Sequence, residues 1–177
     1  MRWTLISAHA GYPRLLDSGA DFIEIDVRRD PTGAIIDSHD EPRPGRKYAT
    51  LDEVLDAVSA RAIGLHLDMK EAGYESQVLG AVLERLRPER IIATPDCETS
   101  VMAIKRDFPD VKVSPVDFIS LDQQQATPER LGRSTLPVWV WTVDDKRRMR
   151  HFLDEPKIAG LTTNRPDLAL RLRRRRS

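Results

Sequence analysis

The feature that most constrains this chain is the regular alternation of short apolar runs with amphipathic segments, nearly from end to end. Residues 4–9 (TLISAH) read as a strand, followed by Pro13 as a first helical residue and a brief helix ending at Gly19. Residues 22–27 (FIEIDV) alternate, with Phe22, Glu24 and Asp26 on one face and Ile23, Ile25 and Val27 on the other. Pro31-Thr32-Gly33 turns the chain into a further strand over 34–39 (AIIDSH). Leu51, Val54, Leu55 and Val58 recur at helical spacing behind Thr50, and Glu53 three residues on completes a capping box. Strands are then expected at 64–70, 90–94, 111–116, 138–143 and 159–163, separated by helical stripes such as Val78, Leu79, Val82, Leu83 and Leu86. Residues 117–135 are polar and irregular, with a short helix after Thr127-Pro128, and Pro166 opens a terminal helix.

Strand alternating with helix calls for a parallel sheet, closed or open. Eight strands of about five residues, eight helices of about eleven and short connections total roughly 180 residues. The 177 residues therefore just suffice for a TIM-like (β/α)8 barrel, whose usual size is about 250. The expected fold is α/β, a trimmed and irregular (β/α)8 barrel with its sixth strand degraded or missing near 117–135, and an open doubly wound sheet is the alternative. One domain spans 1–177, with an Arg-rich tail at 171–177.

Composition removes other classes. Twenty-eight basic side chains balance 28 acidic ones, but five arginines lie in the last seven residues, leaving the body with 23 positive against 28 negative charges. An acidic body argues against nucleic acid as a partner. The single cysteine, Cys97, makes neither an internal disulfide nor a CxxC site. No apolar run approaches the roughly 18 residues of a membrane span, and the N-terminus lacks a signal pattern. The expectation is a cytoplasmic enzyme or binding domain with no integral membrane segment. Neither a GxxxxGK[ST] loop nor a GxGxxG turn is present to support nucleotide hydrolysis or dinucleotide binding.

The polar residues fall at one end of the strands. His9, Glu24 and Asp26, His39, Asp68 and Lys70, Trp141 and Asn164 all lie toward a strand's C-terminal end, the rim on which parallel barrels build active sites. Glu24 and Asp26, two apart, project from one face, and two neighbouring inward carboxylates stay ionised when a cation sits between them. Asp68 adds a third oxygen ligand. Three carboxylates with room for water describe a divalent cation site for Mg²⁺ or Ca²⁺ rather than zinc. The bland alternative for Glu24-Ile25-Asp26 is a solvated edge strand, against which the apolar flanks speak. His9 and His39, beside Asp40, are the candidate acid and base. Lys70 shares the inward face with Asp68 and is suited to stabilising charge on phosphoryl oxygens, or to a salt bridge with Glu24 or Asp26. His66 should point inward one layer deeper as a packing residue, and His151 outward. Trp139 and Trp141 read as core aromatics, one of them a wall of the substrate cavity. The RLRRRRS tail reads as a solvated, frayed helix end.

These residues carry a resemblance. The stretches SAHAG (7–11), GADFIEIDVRRDPTGAIIDSHDE (19–41), ATLDEVLD (49–56), LHLDMK (65–70), VWVWTVDD (138–145) and LTTNRPDLA (161–169) are similar, in order, to those of the glycerophosphodiester phosphodiesterase family. The resemblance implies a (β/α)8 barrel, catalytic His9 and His39, metal-binding Glu24, Asp26 and Asp68, and Lys70 beside the phosphate. It also implies a Mg²⁺ or Ca²⁺ cofactor and a small or lipid phosphodiester cleaved to a phosphomonoester and an alcohol, with Trp141 and Asn164 as substrate contacts.

Three departures stand out. The family's His-Arg-Gly is His9-Ala10-Gly11 here, so its phosphate-binding arginine is missing. The Glu-Asn pair that follows is absent, because only residues 11–19 separate the two segments, and the insertion that shapes the glycerol pocket shrinks to 41–49. Arg14, Arg28 and Arg43 are the candidate replacement cations. The metal and histidine set is whole while the substrate set is thinned. Two further functional readings therefore accompany the enzyme: a phosphate-ligand binding domain that keeps the metal site, and a barrel completed by self-association as a homo-oligomer.

Overall fold

The structure, a computed structural model, describes residues 4–9 and 12–174. Ala10 and Gly11, where the His-Arg-Gly pattern is broken, and the last three residues of the tail lie outside the described residues.

In chain order the elements are β1 (Leu5–Ala8), β2 (Phe22–Arg29), β3 (Ile35–Asp37), α1 (Leu51–Ser59), β4 (Gly64–Met69), α2 (Glu75–Leu83), β5 (Ile91–Pro95), α3 (Glu98–Asp107), β6 (Lys112–Val113), β7 (Ile119–Asp122), α4 (Pro128–Arg133), β8 (Val138–Trp141), α5 (Lys146–Asp154), β9 (Ile158–Thr163) and α6 (Pro166–Arg174). Eight of the strands form one curled parallel sheet in the order β6-β5-β4-β2-β1-β9-β8-β7. β3 is the exception, an antiparallel flap on β2 with Val27 opposite Asp37. The two ends of the sheet, β6 and β7, are consecutive in the chain, and across this seam the Ser120 N–H donates to Ser114 Oγ at 3.1 Å. The architecture is thus the trimmed TIM-like barrel expected from the alternation, not a doubly wound sheet.

Interior and exterior faces follow from the period of two. Ile23, Ile25 and Val27 are buried among the outer helices, together with Leu55, Leu65, Leu67 and Leu79. The inner face of the sheet holds a separate plug of Phe22, Ile92, Phe118 and Trp139. Trp139 meets Phe22 edge-on with centroids 6.0 Å apart, and its indole N–H donates to Thr162 Oγ1 at 2.8 Å. Two glycines make room for this plug. A Cβ on Gly160 would lie 1.9 Å from the Trp139 ring, and one on Gly64 would lie 2.5 Å from Phe22. Aromatic side chains therefore fill the lower barrel, and the space above them is left to polar groups.

Local differences from the expected elements have physical reasons. The sixth barrel strand is degraded rather than missing. β7 has four residues of which only Leu121 is buried, and pairing with β8, Asp122 opposite Trp141, holds it in place. The fifth strand shrinks from 111–116 to Lys112–Val113, because Pro115 has no N–H to give a ladder. The helix expected after Pro13 is replaced by turns, with Leu16 N–H on Pro13 O and Ser18 N–H on Leu15 O; too few residues separate β1 from β2 for a helix to run back along the barrel. The capping box at Thr50 is present in full. Residues 171–174 finish α6 rather than fray: Arg173 pairs with Asp21 and donates to Thr4 O at 3.0 Å. Among the described residues, no helix is long and apolar enough to cross a membrane.

Candidate active site

The site grows out of β2 and its parallel partner β4. Alternation sends Glu24 and Asp26 inward, and the register sets Asp26 opposite Asp68 and Glu24 opposite His66. One carboxylate oxygen from each of Glu24, Asp26 and Asp68 lies within 4.8 Å of the others. Glu24 and Asp26 are only 4% and 2% exposed. Lys70, the next inward residue after Asp68, places Nζ 2.5 Å from Asp68 Oδ2 and 3.0 Å from Asp26 Oδ1. Burial works against the Lys70 charge, but the Asp68 and Asp26 carboxylates outweigh it and hold the ammonium well above its ordinary pKa. Burial pushes the Asp68 carboxyl up, against the pull of Lys70. Three carboxylates thus converge in a poorly solvated place, with the Lys70 ammonium against Asp26 and Asp68. Asp26 Oδ1 is fully buried, and among the described residues the Lys70 ammonium is its one side-chain donor. A buried, thinly satisfied oxygen in a cluster of hard carboxylate donors fits a divalent cation.

His9 stands beside this cluster, with Nε2 3.7 Å from Glu24 Oε2. Its other nitrogen, Nδ1, lies 3.0 Å from Asn164 Oδ1. The Asn164 amide nitrogen donates to Asp144 Oδ2 at 2.7 Å, while Asp144 Oδ1 accepts from the Asn164 N–H and the Thr163 hydroxyl. Burial opposes ionisation of Asp144, but these bonds prevail and depress its pKa, so it stays an acceptor. The order of protons follows. Asp144 fixes which end of the Asn164 amide faces His9, the amide oxygen accepts a hydrogen bond from Nδ1–H, and in this tautomer the lone pair of the ring sits on Nε2, on the side of the carboxylates.

A cavity of about 670 Å³ opens above the cluster, and His9, His39, Lys70 and Trp141 line it along with the three carboxylates. His39 reaches it from the end of β3; its side chain is 71% exposed and its Nδ1 lies 3.0 Å from Asp40 Oδ1. Trp141 is 42% exposed at the mouth, whereas Trp139 is buried in the plug. The opposite wall is built of hydroxyls, Thr94, Ser114, Ser120 and Thr142. Asn164, expected to touch substrate, lies against His9 with both ends of its amide engaged, and it is not among the residues lining the cavity. Neither Asp144 nor the hydroxyl wall is singled out by local sequence pattern. The only trace of Asp144 is that VWTVDD and LTTN occupy neighbouring strand ends. Of the candidate replacement cations, Arg28 turns to the His39 carbonyl rather than into the cavity.

His66 forms the floor, 4% exposed, with Nε2 3.2 Å from Thr94 Oγ1 and its ring edge-on to Trp139. Burial, with the nearby His9 and Lys70 charges, drives its pKa down to about 3. The folded chain therefore keeps His66 neutral where the unfolded chain, near 6.5, takes up a proton. This contribution to stability is complete above about pH 6.5 and is lost as pH falls toward 3. Asp37 acts oppositely: burial raises it to about 6, so its protonation favours the folded state as pH falls. At about 1.4 kcal/mol per unit, His66→Gln should remove about 3 kcal/mol from the stability difference between pH 7 and pH 4. Urea unfolding of both proteins in EDTA at the two pH values measures this, and equal slopes would contradict it.

No family model matches the sequence, and no curated protein matches it. Solved structures do. A glycerophosphodiester phosphodiesterase from Agrobacterium tumefaciens superposes with a TM-score of 0.76 at 18% identity, over 97% of this chain and 99% of that one. One from Parabacteroides distasonis gives 0.78 at 18% identity, over 98% of each chain. An Oleispira antarctica phosphodiesterase in complex with the product sn-glycerol-3-phosphate gives 0.80 at 14% identity, over 96% of each chain. At such identities the likeness speaks for the fold, and the chain has, over nearly its whole length, the fold of the glycerophosphodiester phosphodiesterases.

Proposed function

We propose that the chain is a divalent-cation-dependent phosphodiesterase that cleaves a glycerophosphodiester or a related small or lipid phosphodiester to a phosphomonoester and an alcohol. The observation that carries the reading is the convergence of Glu24, Asp26, Asp68 and Lys70 beneath a cavity that His9 and His39 also line. Glu24, Asp26 and Asp68 would hold the cation, Mg²⁺ or Ca²⁺, which when bound supplies a Lewis acid for a non-bridging phosphate oxygen. Lys70 offers the same oxygens a second positive contact. His9, with Nε2 as the open acceptor, removes the proton from the attacking oxygen, whether water or a hydroxyl of the substrate. His39 delivers a proton to the leaving alcohol. Trp141 walls the mouth. The product seen in the Oleispira antarctica enzyme supports a small phosphate ligand.

The purified chain should release alcohol from a glycerophosphodiester and p-nitrophenol from bis(p-nitrophenyl) phosphate. EDTA should stop both reactions, and added Mg²⁺ or Ca²⁺ should restore them. Binding of glycerol 3-phosphate with no release from either substrate would favour a phosphate-binding domain instead.

A further inference from the structure

We propose that Arg28 is the positioning residue for His39, an inference that rests on the phosphodiesterase reading and deepens it. Arg28 continues the inward series of β2, two residues beyond Asp26, where its guanidinium meets two different loops. Its Nε donates to the His39 carbonyl oxygen at 3.1 Å, and one terminal nitrogen lies 3.6 Å from Glu71 Oε1. Glu71 directly follows Lys70, so the pair ties the end of β4 to the residue that leaves β3.

His39 needs such a tie. Its ring is mostly exposed, and so is the Asp40 carboxylate it touches. The chain from 40 to 49 forms no helix or strand. Two hydrogen bonds hold its neighbours, the Ser38 N–H on Asp26 O at 2.8 Å and the Ser38 hydroxyl on Asp40 O at 2.7 Å. Among the described residues, the Arg28 bond is the one made to the backbone of His39 itself. Asp26 through its backbone carbonyl and Arg28 through its side chain thus both address the His39 segment from one strand, and the Asp26 carboxylate also belongs to the acidic cluster. The forked guanidinium serves a carbonyl and a carboxylate at once, which an ammonium does less well. A displacement of about 1 Å in a catalytic group can cost on the order of 10²-fold in rate.

A residue that acts through a leaving-group acid shows itself in the leaving group. p-Nitrophenolate departs without a proton, whereas an alkyl alkoxide does not. R28Q should therefore lower kcat about 10- to 100-fold for a diester with an alkyl leaving group. For a p-nitrophenyl diester sharing the same phosphate half, the loss should stay below about threefold, with KM within about twofold in both cases. R28K should recover part of the alkyl loss, and in an H39A background R28Q should cost nothing further. If R28Q does not fold, E71Q, which leaves the Nε bond in place, should show the same leaving-group pattern at smaller amplitude. Equal losses on both substrates, or additive losses with H39A, overturn the role of Arg28 and leave the enzyme standing. An unaltered chain without metal-dependent turnover overturns both.

Discussion

Turnover of a simple phosphodiester should fall about 10²- to 10⁴-fold when His9 is replaced by alanine, the range lost with a general acid or base, while the circular dichroism spectrum and thermal midpoint stay close to those of the parent. The ring lies at the rim with its side chain 27% exposed, so its removal opens no cavity among the aromatic residues below. The same geometry predicts graded losses behind it. Asn164→Leu leaves Nδ1 without its acceptor, freeing the proton to move to Nε2 and close the position that must receive one. Asp144→Asn leaves Asn164 in place but unlocks its amide, which can then present either end to the ring. The expected order of damage is His9→Ala, then Asn164→Leu, then Asp144→Asn, measured as kcat on one substrate under saturating cation. Full activity in purified His9→Ala would remove the histidine from the reaction.

The reach of the sequence in this molecule follows the range of the interactions involved. Glu24 and Asp26 were legible because their shared face is a property of one strand with period two, and apolar flanks marked that strand as buried. The Thr50–Glu53 capping box was legible for the same reason, since everything it needs lies within four residues. Asp68 could be named, but its meeting with Asp26 depends on a ladder between strands separated by a helix. Asp144 left almost no signal, because it acts through Asn164 on His9 and these three residues come from different strand ends. Arg28 could be read as a cation near the site, yet charge says nothing of direction, and its side chain turns to the His39 carbonyl and Glu71. The weakest predictions fell where tertiary pairing replaces local preference. β7 exists through its ladder with β8 and not through an apolar pattern of its own. The arginines at 171 and beyond looked like solvated charge, but Arg173 finds Asp21 across 152 residues of chain.

The acidic cluster proposed to hold a cation carries the other large effect, and its sign shows in stability as well as in activity. Without a cation, Glu24, Asp26 and Asp68 lie together, the Lys70 ammonium touching Asp26 and Asp68 and the His9 ring facing Glu24. Glu24, 4% exposed, is therefore the carboxylate whose neutralisation disturbs Lys70 least. Glu24→Gln relieves repulsion among buried like charges and keeps a polar group of the same shape facing His9, so in EDTA the variant should be at least as stable as the parent. The order should reverse in millimolar Mg²⁺ or Ca²⁺. A ligand that binds only the folded state stabilises it by about 2.7 kcal/mol at one hundred times its dissociation constant, so the parent's thermal midpoint should rise while that of Glu24→Gln stays nearly flat. Activity should fall by at least about 10²-fold, because partners one bond removed from a metal already cost 10- to 100-fold. This crossing of stabilities separates a cation site from a structural carboxylate cluster, which would lose stability in both conditions when a member is neutralised. A parent chain whose midpoint ignores both ions would mean that its three acidic side chains serve the barrel and not a metal.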